Sequence, residues 1–497
     1  TLLFRSKAWL AQQAQEHPEA IALIEGRSRL TYANLAEQAA RRAAILAAHG
    51  VRPGNRVVVQ VHTDLQSAIW LHAIIWLGAA AVPVEPKLPP GRMRLLIKQL
   101  RPAASIMPEA DALRIGASKD ESRGENGHAC PFIDADQPPA QHVEALAPAA
   151  YAPARCATIM LTSGSSSAPK AVPLTLDNHR TSTLAIARRI GMTGADQWLL
   201  CLPLEHIGGL AILIRSVICG SAVHLHPRFE PAAVLDDLAE NPVTLASMVP
   251  AMLQRILDRQ AGPASSKLRA LLIGGAPAAP WLLRHARNLG WPVLPTWGMT
   301  EACSQLATMA PDEAARIDFA EHPGTVGRPL SGVEVRTASS GILQVRGPML
   351  FSGYLGSAGE PDHGPDAEGW FSTGDIGEFV PEGDLRIAGR ADEVIISGGV
   401  NVNLEAVRQR LGECPQVHDI VLVALEDARW GQRIGAVVQP RDPSADAGQL
   451  QAFVADWSRA RLTPAERPLR WHIVDNIPRS AAGKPLTPAC RALLEND

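Results

Sequence analysis

The chain has 497 residues, of which 46% are hydrophobic and 20% charged, and its formal net charge at pH 7 is −3. A chain of this length exceeds one hydrophobic core, so two or three packed units are expected, and the composition is that of a soluble globular protein. Because no cluster of five or more basic residues occurs, a nucleic-acid partner is not expected.

Neither the cysteines nor the apolar segments indicate a secreted or membrane protein. The seven cysteines are scattered singly, without C-x-x-C pairs or zinc-type spacing, which predicts a reducing, cytoplasmic location. No charged-then-apolar leader opens the chain. Residues 67–82 are almost wholly apolar, but the run is too short for a bilayer, contains His72 and stops at Pro83. It predicts a buried helix that leads into a buried strand, and no membrane partner.

The N-terminal part alternates helix and strand patterns. Residues 8–16 and 32–49 have helical periodicity, and residues 56–61 form a short β-branched run. Strands that alternate with helices predict a largely parallel, doubly wound sheet. Residues 109–155 show no clear period and are interpreted as an exposed connection.

The next stretch, TIMLTSGSSSAPKAVPLT at residues 158–175, has the pattern of a phosphate-binding loop. An apolar run leads to clustered hydroxyls and a glycine, and Lys170 follows. Phosphate oxygens are well held by hydroxyl and backbone N–H donors together with one ammonium group. The stretch is not a Walker loop, because Pro169 precedes the lysine and Ala171 follows it. Read alone, it could equally be a serine-rich linker.

Residues 199–225 predict a strand at 199–202, a turn at 203–209 and a helix at 211–219. The turn carries His206, and a histidine at a strand-to-helix turn lies where α/β sheets bind ligands. A hydrogen-bonded structural histidine is the alternative.

Two further strands end in residues suited to a nucleotide. The predicted strand at 270–273 runs into Gly274, Gly275 and Ala276, which allow a planar ligand to approach the backbone, although a plain tight turn would look the same. The strand at 292–296 is followed by the segment WGMTE at 297–301. An aromatic ring can stack on adenine and a carboxylate can hold Mg²⁺, while a core tryptophan and a surface glutamate are the alternative.

The remainder of the chain is first β-rich and then changes to a short α+β pattern. The β-rich section contains T-G-D at 373–375, and the change follows G-R-A-D-E at 389–393. Near the end, a P-R-x-x-x-G-K pattern brings Lys484. Taken singly, T-G-D is a common turn and Gly-Lys is usually a solvated loop.

In this order the motifs resemble the adenylate-forming superfamily of acyl-CoA synthetases, adenylation domains and luciferases. The segment 199–225, with P-x-x-H-I-x-G-L and a following Arg-Ser helix, is most similar to the 2-succinylbenzoate–CoA ligase branch. The resemblance implies an α/β fold: a large N-terminal domain of doubly wound sheets plus a β-rich subdomain at 1–390, and a small mobile α+β C-terminal domain at 391–497.

The resemblance also implies a role for each matching residue. The catalytic residues would be Lys484, Glu301 (also the Mg²⁺ ligand), Thr300 and His206. The residues that bind ATP would be Thr162, Ser163, Gly164, Ser165, Ser166, Lys170, Gly274, Gly275, Ala276, Trp297, Asp375 and Arg390. The acid would be bound by His206, Gly209 and Arg215, the thioester step would use Gly398 and Gly399, and Asp392 would be the hinge. Arg215 could equally be a buried structural arginine.

Some positions depart from the family pattern. Ser167 and Ala171 stand where the family has glycines, so a required positive φ there would cost about 1 kcal/mol or more. Trp297 replaces the usual tyrosine, and Glu205 replaces an aromatic residue near the acid pocket.

These features predict an ATP-dependent acid–CoA ligase that uses ATP, Mg²⁺, coenzyme A and a small carboxylic acid, most similar to those that act on 2-succinylbenzoate. The alternatives are a ligase for another acid, an adenylation protein that loads a carrier, and a degenerate nucleotide-binding protein without turnover, which Ser167 and Ala171 motivate. A homo-oligomer stays open.

Overall fold

The computed structural model describes residues 8–115, 130–136, 144–162, 170–259, 262, 264–356, 361–427, 429–480 and 483–495. They form two large mixed sheets, a four-stranded sheet, a two-stranded ribbon and a five-stranded sheet. The predicted fold class, doubly wound α/β sheets followed by a β-rich section and a smaller α+β part, is confirmed. The domain boundary between residues 390 and 391 stays a prediction.

The first elements form the whole six-stranded sheet and one edge of the eight-stranded sheet. In chain order they are α1 (Trp9–Glu16), β1 (Ile21–Glu25), β2 (Ser28–Thr31), α2 (Tyr32–Ala48), β3 (Arg56–Gln60), α3 (Leu65–Leu77), β4 (Ala80–Val84), α4 (Pro90–Leu100), β5 (Ala104–Met107), α5 (Glu109–Ile115), β6 (Phe132–Asp134), β7 (Cys156–Thr162) and β8 (Lys170–Thr175). The six-stranded sheet has the order β6-β5-β3-β4-β7-β8, parallel except for the last pair.

The following elements complete the second sheet. They are α6 (Leu176–Ile190), β9 (Gln197–Leu200), α7 (Ile207–Cys219), β10 (Ala222–Leu225), α8 (Pro231–Glu240), β11 (Leu245–Met248), α9 (Pro250–Arg259), β12 (Ala270–Ile273), α10 (Pro280–Asn288), β13 (Val293–Met299), the 3₁₀ turn Thr300–Ala302, β14 (Ser304–Thr308) and α11 (Pro311–Arg316). The eight strands have the order β14-β13-β12-β11-β9-β10-β1-β2, with antiparallel pairs at the two edges.

The last elements form the antiparallel and C-terminal sheets. They are β15 (Glu334–Thr337), β16 (Ile342–Arg346), β17 (Tyr354–Leu355), β18 (Pro361–Asp362), β19 (Phe371–Phe379), β20 (Leu385–Arg390), the 3₁₀ turn Ala391–Glu393, β21 (Val394–Ser397), β22 (Val400–Asn403), α12 (Leu404–Gly412), β23 (Val417–Asp427), β24 (Gly431–Pro440), α13 (Ala447–Arg461), β25 (Arg470–Ile473) and α14 (Thr487–Glu495). Strands β15-β16-β19-β20 form one sheet, and β22-β21-β24-β23, with β25 beside β24, form the other.

The apolar run at 67–82 illustrates how local sequence produces these elements. Asp64 accepts a hydrogen bond from the Ser67 amide and so caps α3, while Gly78 ends the helix with a φ of +86°. Most residues of α3 are buried, and β4 next to it is buried on both faces. As predicted, the run is a core helix and strand, and no helix among the described residues combines the length and apolarity needed to cross a membrane.

Two predictions about local structure are wrong. Residues 109–155 are not simply an exposed connection, because α5 lies in them and β6 pairs with β5 as an edge strand. Such a short strand shows no readable period. The turn predicted at 203–209 is also too long, because α7 begins directly after His206. A Cβ at Gly209 would lie 2.3 Å from the Pro203 carbonyl oxygen, so this glycine permits tight packing of the first turn and does not break the helix.

Candidate active site

Lys484 of the C-terminal segment lies close to charged residues from earlier in the chain, and we call the region around it the cleft. Its side chain is open to the cleft, yet the surrounding protein lowers its pKa, first by desolvation and then through the Arg390 guanidinium. The carboxylates of Asp375 and Glu301 act in the opposite direction. A Cβ at Gly483 would lie 2.8 Å from the Val249 side chain, so the C-terminal loop packs directly on the N-terminal part.

Glu301 lies on the 3₁₀ turn after β13 and is buried. Its Oε1 accepts a hydrogen bond of 2.6 Å from the Tyr354 hydroxyl, and the Lys170 ammonium lies 4.8 Å from the centre of the Tyr354 ring. Burial, together with the hydrogen bond to Glu301, raises the pKa of Tyr354. Tyr354 therefore joins two of the predicted site residues. Sequence reasoning assigned Tyr354 no site role, because a Gly-Tyr pair in a β-rich section carries no specific signal.

Asp375 is held between two donors. The Trp297 indole Nε1 donates to its Oδ2 at 2.7 Å, and Arg390 Nη1 donates to its Oδ1 at 3.3 Å. Burial raises the pKa of Asp375, while both donors lower it. The tryptophan that replaces the family's tyrosine thus supplies a hydrogen-bond donor of its own to this carboxylate.

The glycines after β12 lie beside these residues on the neighbouring strand. A Cβ at Gly274 would lie 2.6 Å from the Thr296 side chain, and Gly275 has a φ of +77°. Ala276 follows them. Gly274 therefore permits close packing against β13, and the approach of a planar ligand to this backbone stays a prediction.

The predicted phosphate loop is only partly described. Ser163, Gly164, Ser165, Ser166 and Ser167 lie outside the described residues. Thr162 and Lys170, at the two ends of the loop, face each other across the antiparallel pair β7–β8. Ala171 is buried within β8 opposite Leu161 and does not have a positive φ. An alanine therefore carries no backbone penalty at this position.

His206 precedes the first residue of α7 and makes no capping hydrogen bond with its side chain. It is exposed towards the cleft, and its pKa is lowered to about 4 by desolvation and then by the Lys484 ammonium. A neutral imidazole therefore faces Lys484 at neutral pH. This proximity places the turn before α7 in the same cleft as Lys484.

Arg215 is on α7 and is only 1% exposed. Its Nη2 donates to Gln305 Oε1 at 2.7 Å, and the guanidinium lies 5.2 Å from the centre of the Trp198 ring. Its Nε has no hydrogen-bond partner, and no carboxylate among the described residues forms an ion pair with Arg215. Burial lowers the pKa of Arg215 to about 10. Among the described residues, Arg215 is thus a buried cation without a carboxylate partner, and its guanidinium donates to the Gln305 side chain.

The predicted thioester and hinge residues lie in the C-terminal sheet and in the 3₁₀ turn that precedes it. Gly398 and Gly399 form the two-residue turn between β21 and β22, with φ values of +61° and +82°. A Cβ at Gly398 would meet Trp430, which lies in the turn before β24. Asp392 is exposed and accepts a hydrogen bond of 3.0 Å from Arg390 Nε. The roles of these residues in a thioester step and a hinge stay predictions.

The side chains near Glu301 would hold Mg²⁺ only together with the phosphates of a bound nucleotide. Among the described residues, no group of three or more histidine, cysteine, aspartate or glutamate side chains could hold a metal ion. Mg²⁺ commonly binds one or two carboxylates plus substrate phosphates. Glu301 could supply a carboxylate oxygen to such a site, while its Oε1 also accepts a hydrogen bond from the Tyr354 hydroxyl. Thr300, on the same turn, would adjoin it.

Comparison with known proteins agrees with this architecture. Residues 10–355 match the AMP-binding enzyme family, and residues 407–484 match the AMP-binding enzyme C-terminal domain. The chain belongs to the family of AMP-binding enzymes. It is 33% identical to the 2-succinylbenzoate–CoA ligase of Bacillus licheniformis over 495 residues, which cover 96% of this chain and 97% of that protein.

Two solved structures of O-succinylbenzoate coenzyme A synthetase from Bacillus subtilis are similar in fold, each at 31% identity. The complex with ATP and magnesium ion has a TM-score of 0.84 and covers 97% of this chain and 99% of that chain. The complex with the acyl-adenylate intermediate OSB-AMP has a TM-score of 0.83 and covers 98% of both chains.

Proposed function

We propose that this chain is an ATP-dependent acid–CoA ligase that acts on 2-succinylbenzoate in menaquinone biosynthesis. Family membership, the relatives that carry this activity and the clustering of Lys484, Glu301 and Asp375 in one cleft support the proposal. The cytoplasm is its proposed location, and all seven cysteines are free thiols, as suits a reducing compartment.

In the first half-reaction the acid's carboxylate oxygen attacks the α-phosphorus of ATP, and the bond to pyrophosphate breaks. The carboxylate is already ionised, so the barrier is mainly the approach of two anions. We assign Lys484 to the carboxylate and α-phosphate, and Lys170 with the loop hydroxyls to the leaving pyrophosphate. Mg²⁺, when bound at Glu301, would neutralise further phosphate charge.

In the second half-reaction the thiol of coenzyme A releases its proton to solvent, its sulfur attacks the acyl carbon, and AMP leaves with the electron pair of the broken C–O bond. By family resemblance the C-terminal domain would rotate near Asp392 and bring Gly398 and Gly399 to the acyl-adenylate. We assign the close approach of Gly483 to Val249, and of Lys484 to Glu301 and Asp375, to the adenylate-forming orientation.

The observation that carries the choice of acid is the uncompensated charge of Arg215. Burying a cation without a counter-ion is costly, and an anion that binds nearby recovers part of that cost. Since Arg215 donates to Gln305 Oε1, the amide NH₂ of Gln305 is directed away from Arg215. We propose that Gln305 contacts the second carboxylate of 2-succinylbenzoate, with the Arg215 charge behind it.

The test compares 2-succinylbenzoate with 4-oxo-4-phenylbutanoate, which lacks the ring carboxylate, by pyrophosphate release with and without coenzyme A. The wild-type enzyme should prefer the dicarboxylate. Arg215→Met should lower kcat/KM for the dicarboxylate by roughly 10- to 100-fold, the value of a charge-assisted interaction, and change the monoacid little. Equal losses for both acids would refute this assignment, and pyrophosphate release without any CoA thioester would favour a carrier-loading adenylation protein.

A further inference from the structure

Behind the cleft, three buried side chains from different elements form a continuous hydrogen-bonded chain. Thr158 Oγ1, on β7, lies 2.8 Å from His179 Nε2 on α6. His179 Nδ1 lies 3.1 Å from the Sγ of Cys303, which follows the 3₁₀ turn. Each residue is at most 2% exposed. We call this set the Thr158–His179–Cys303 chain.

The chain connects the two halves of the proposed triphosphate site. Thr158 is on the strand that ends at Thr162, where the predicted phosphate loop begins. Cys303 stands two residues after Glu301. A triphosphate must meet the loop and Glu301 simultaneously, so the separation of these two elements determines whether both can engage it. His179 is the only residue of the three that touches both of the others.

The turn that carries Glu301 needs support of this kind. Cys303 has a φ of +55° and Ser304 a φ of +105°, which are unfavourable for residues with a side chain. A strained backbone persists only where its surroundings hold it. Here Ser182 Oγ donates to the Cys303 carbonyl oxygen at 2.8 Å, and the Cys303 side chain meets His179.

His179 is suited to hold position and unsuited to transfer protons. Burial and the nearby Arg215 guanidinium lower its pKa to about 3, so the ring is neutral at working pH. A neutral imidazole has one donor and one acceptor nitrogen, and a hydroxyl and a thiol can complement either arrangement.

We propose that His179 is a positioning residue for acyl-adenylate formation: through Thr158 and Cys303 it sets the separation between the phosphate-loop strand and the turn that carries Glu301. The inference rests on the proposed function for its kinetic readout. It concerns the first half-reaction only, because thioester formation no longer involves a triphosphate.

The experiment compares His179→Leu, which removes both hydrogen bonds, with His179→Gln, which retains a donor and an acceptor. In single turnovers, His179→Leu should slow acyl-adenylate formation by roughly 10- to 100-fold and weaken its Mg²⁺ dependence, because misplacement by about 1 Å has effects of this size. Thioester formation from supplied acyl-adenylate should stay within about threefold of wild type, and His179→Gln should recover part of the first step.

The matched control is His224→Leu, which removes a buried histidine bonded to Gln197 and Asp237 within the β9–α8 region. It should lower the melting temperature without changing the rate of one half-reaction relative to the other.

Equal slowing of both half-reactions by His179→Leu, or no slowing of the first, would overturn the inference. If the wild type makes no thioester, the proposed function fails. The inference about His179 is then tested by calorimetry of ATP binding with and without Mg²⁺. An unchanged Mg²⁺ dependence of binding in His179→Leu overturns the inference, and a reduced dependence supports it.

Discussion

The Trp297–Asp375 hydrogen bond gives the sharpest prediction about nucleotide recognition. The change is Trp297→Phe, which keeps an aromatic face and removes the indole donor that lies 2.7 Å from Asp375 Oδ2. A hydrogen bond to an ionised carboxylate contributes about 1.5–3 kcal/mol, which corresponds to roughly 10- to 150-fold in affinity. Because burial already raises the pKa of Asp375, loss of the indole should raise it further and weaken the carboxylate as an acceptor for ribose hydroxyls.

The assay is kcat/KM for ATP and for 2′-deoxy-ATP. We expect Trp297→Phe to raise KM for ATP by about tenfold or more and to narrow the preference for ATP over 2′-deoxy-ATP. Trp291→Phe is the matched control, since it removes a buried indole that donates to the Gly262 carbonyl, and it should leave the preference unchanged. An unaltered preference in Trp297→Phe would show that this hydrogen bond does not orient Asp375 towards ribose.

Two further predictions concern packing and pH. A Cβ at Gly298 would lie 1.9 Å from the Ser304 carbonyl oxygen, so Gly298→Ala should lower the melting temperature and abolish adenylation. Gly91→Ala is the control, because Gly91 has open space around it, and it should change neither property. Adenylation by Gly298→Ala at the wild-type rate would contradict this prediction. Desolvation, with a smaller contribution from Glu85, raises the pKa of Glu205 to about 7. Between pH 4.5, the pKa of Glu205 in the unfolded state, and about pH 7, its pKa in the folded state, the folded protein retains a proton that the unfolded chain releases. The free energy of unfolding of the wild type therefore falls as pH rises through this range. Glu205→Gln should therefore be about 1–3 kcal/mol more stable than wild type at pH 8 in urea unfolding, with no advantage at pH 4, and a pH-independent difference would refute the assignment.

Sequence patterns indicate which residues lie close together where those residues follow neighbouring strands. Gly274 follows β12 and Glu301 lies just after β13, and these neighbouring parallel strands bring their carboxyl ends to one edge of the eight-stranded sheet. Thr162 ends β7 in the other large sheet, so no strand edge shared with β12 and β13 accounts for its position. Lys484 needed the resemblance as well, because Gly-Lys in a C-terminal loop has no distinctive period. The cleft that surrounds it is formed by residues from both parts of the chain.

The contacts that sequence reasoning missed join residues far apart in the chain. Tyr354 bonds Glu301 across 53 positions, Gln305 bonds Arg215 across 90, and Cys303 meets His179 across 124. No local pattern encodes such pairs, since each depends on how separate elements pack. The same limit applies to Ala171: its departure from the family's glycine suggested backbone strain, but the position is an ordinary strand residue.

The central claim is that Lys484, from the C-terminal segment, acts in the same cleft as Glu301 and Asp375 to form the acyl-adenylate. The most direct measurement is a single-turnover comparison of Lys484→Gln with wild type, in which acyl-adenylate formation from acid and ATP and thioester formation from supplied acyl-adenylate and coenzyme A are followed separately. The account predicts that the first rate falls by about 10²–10³-fold or more while the second is retained. An unchanged rate of acyl-adenylate formation would contradict it.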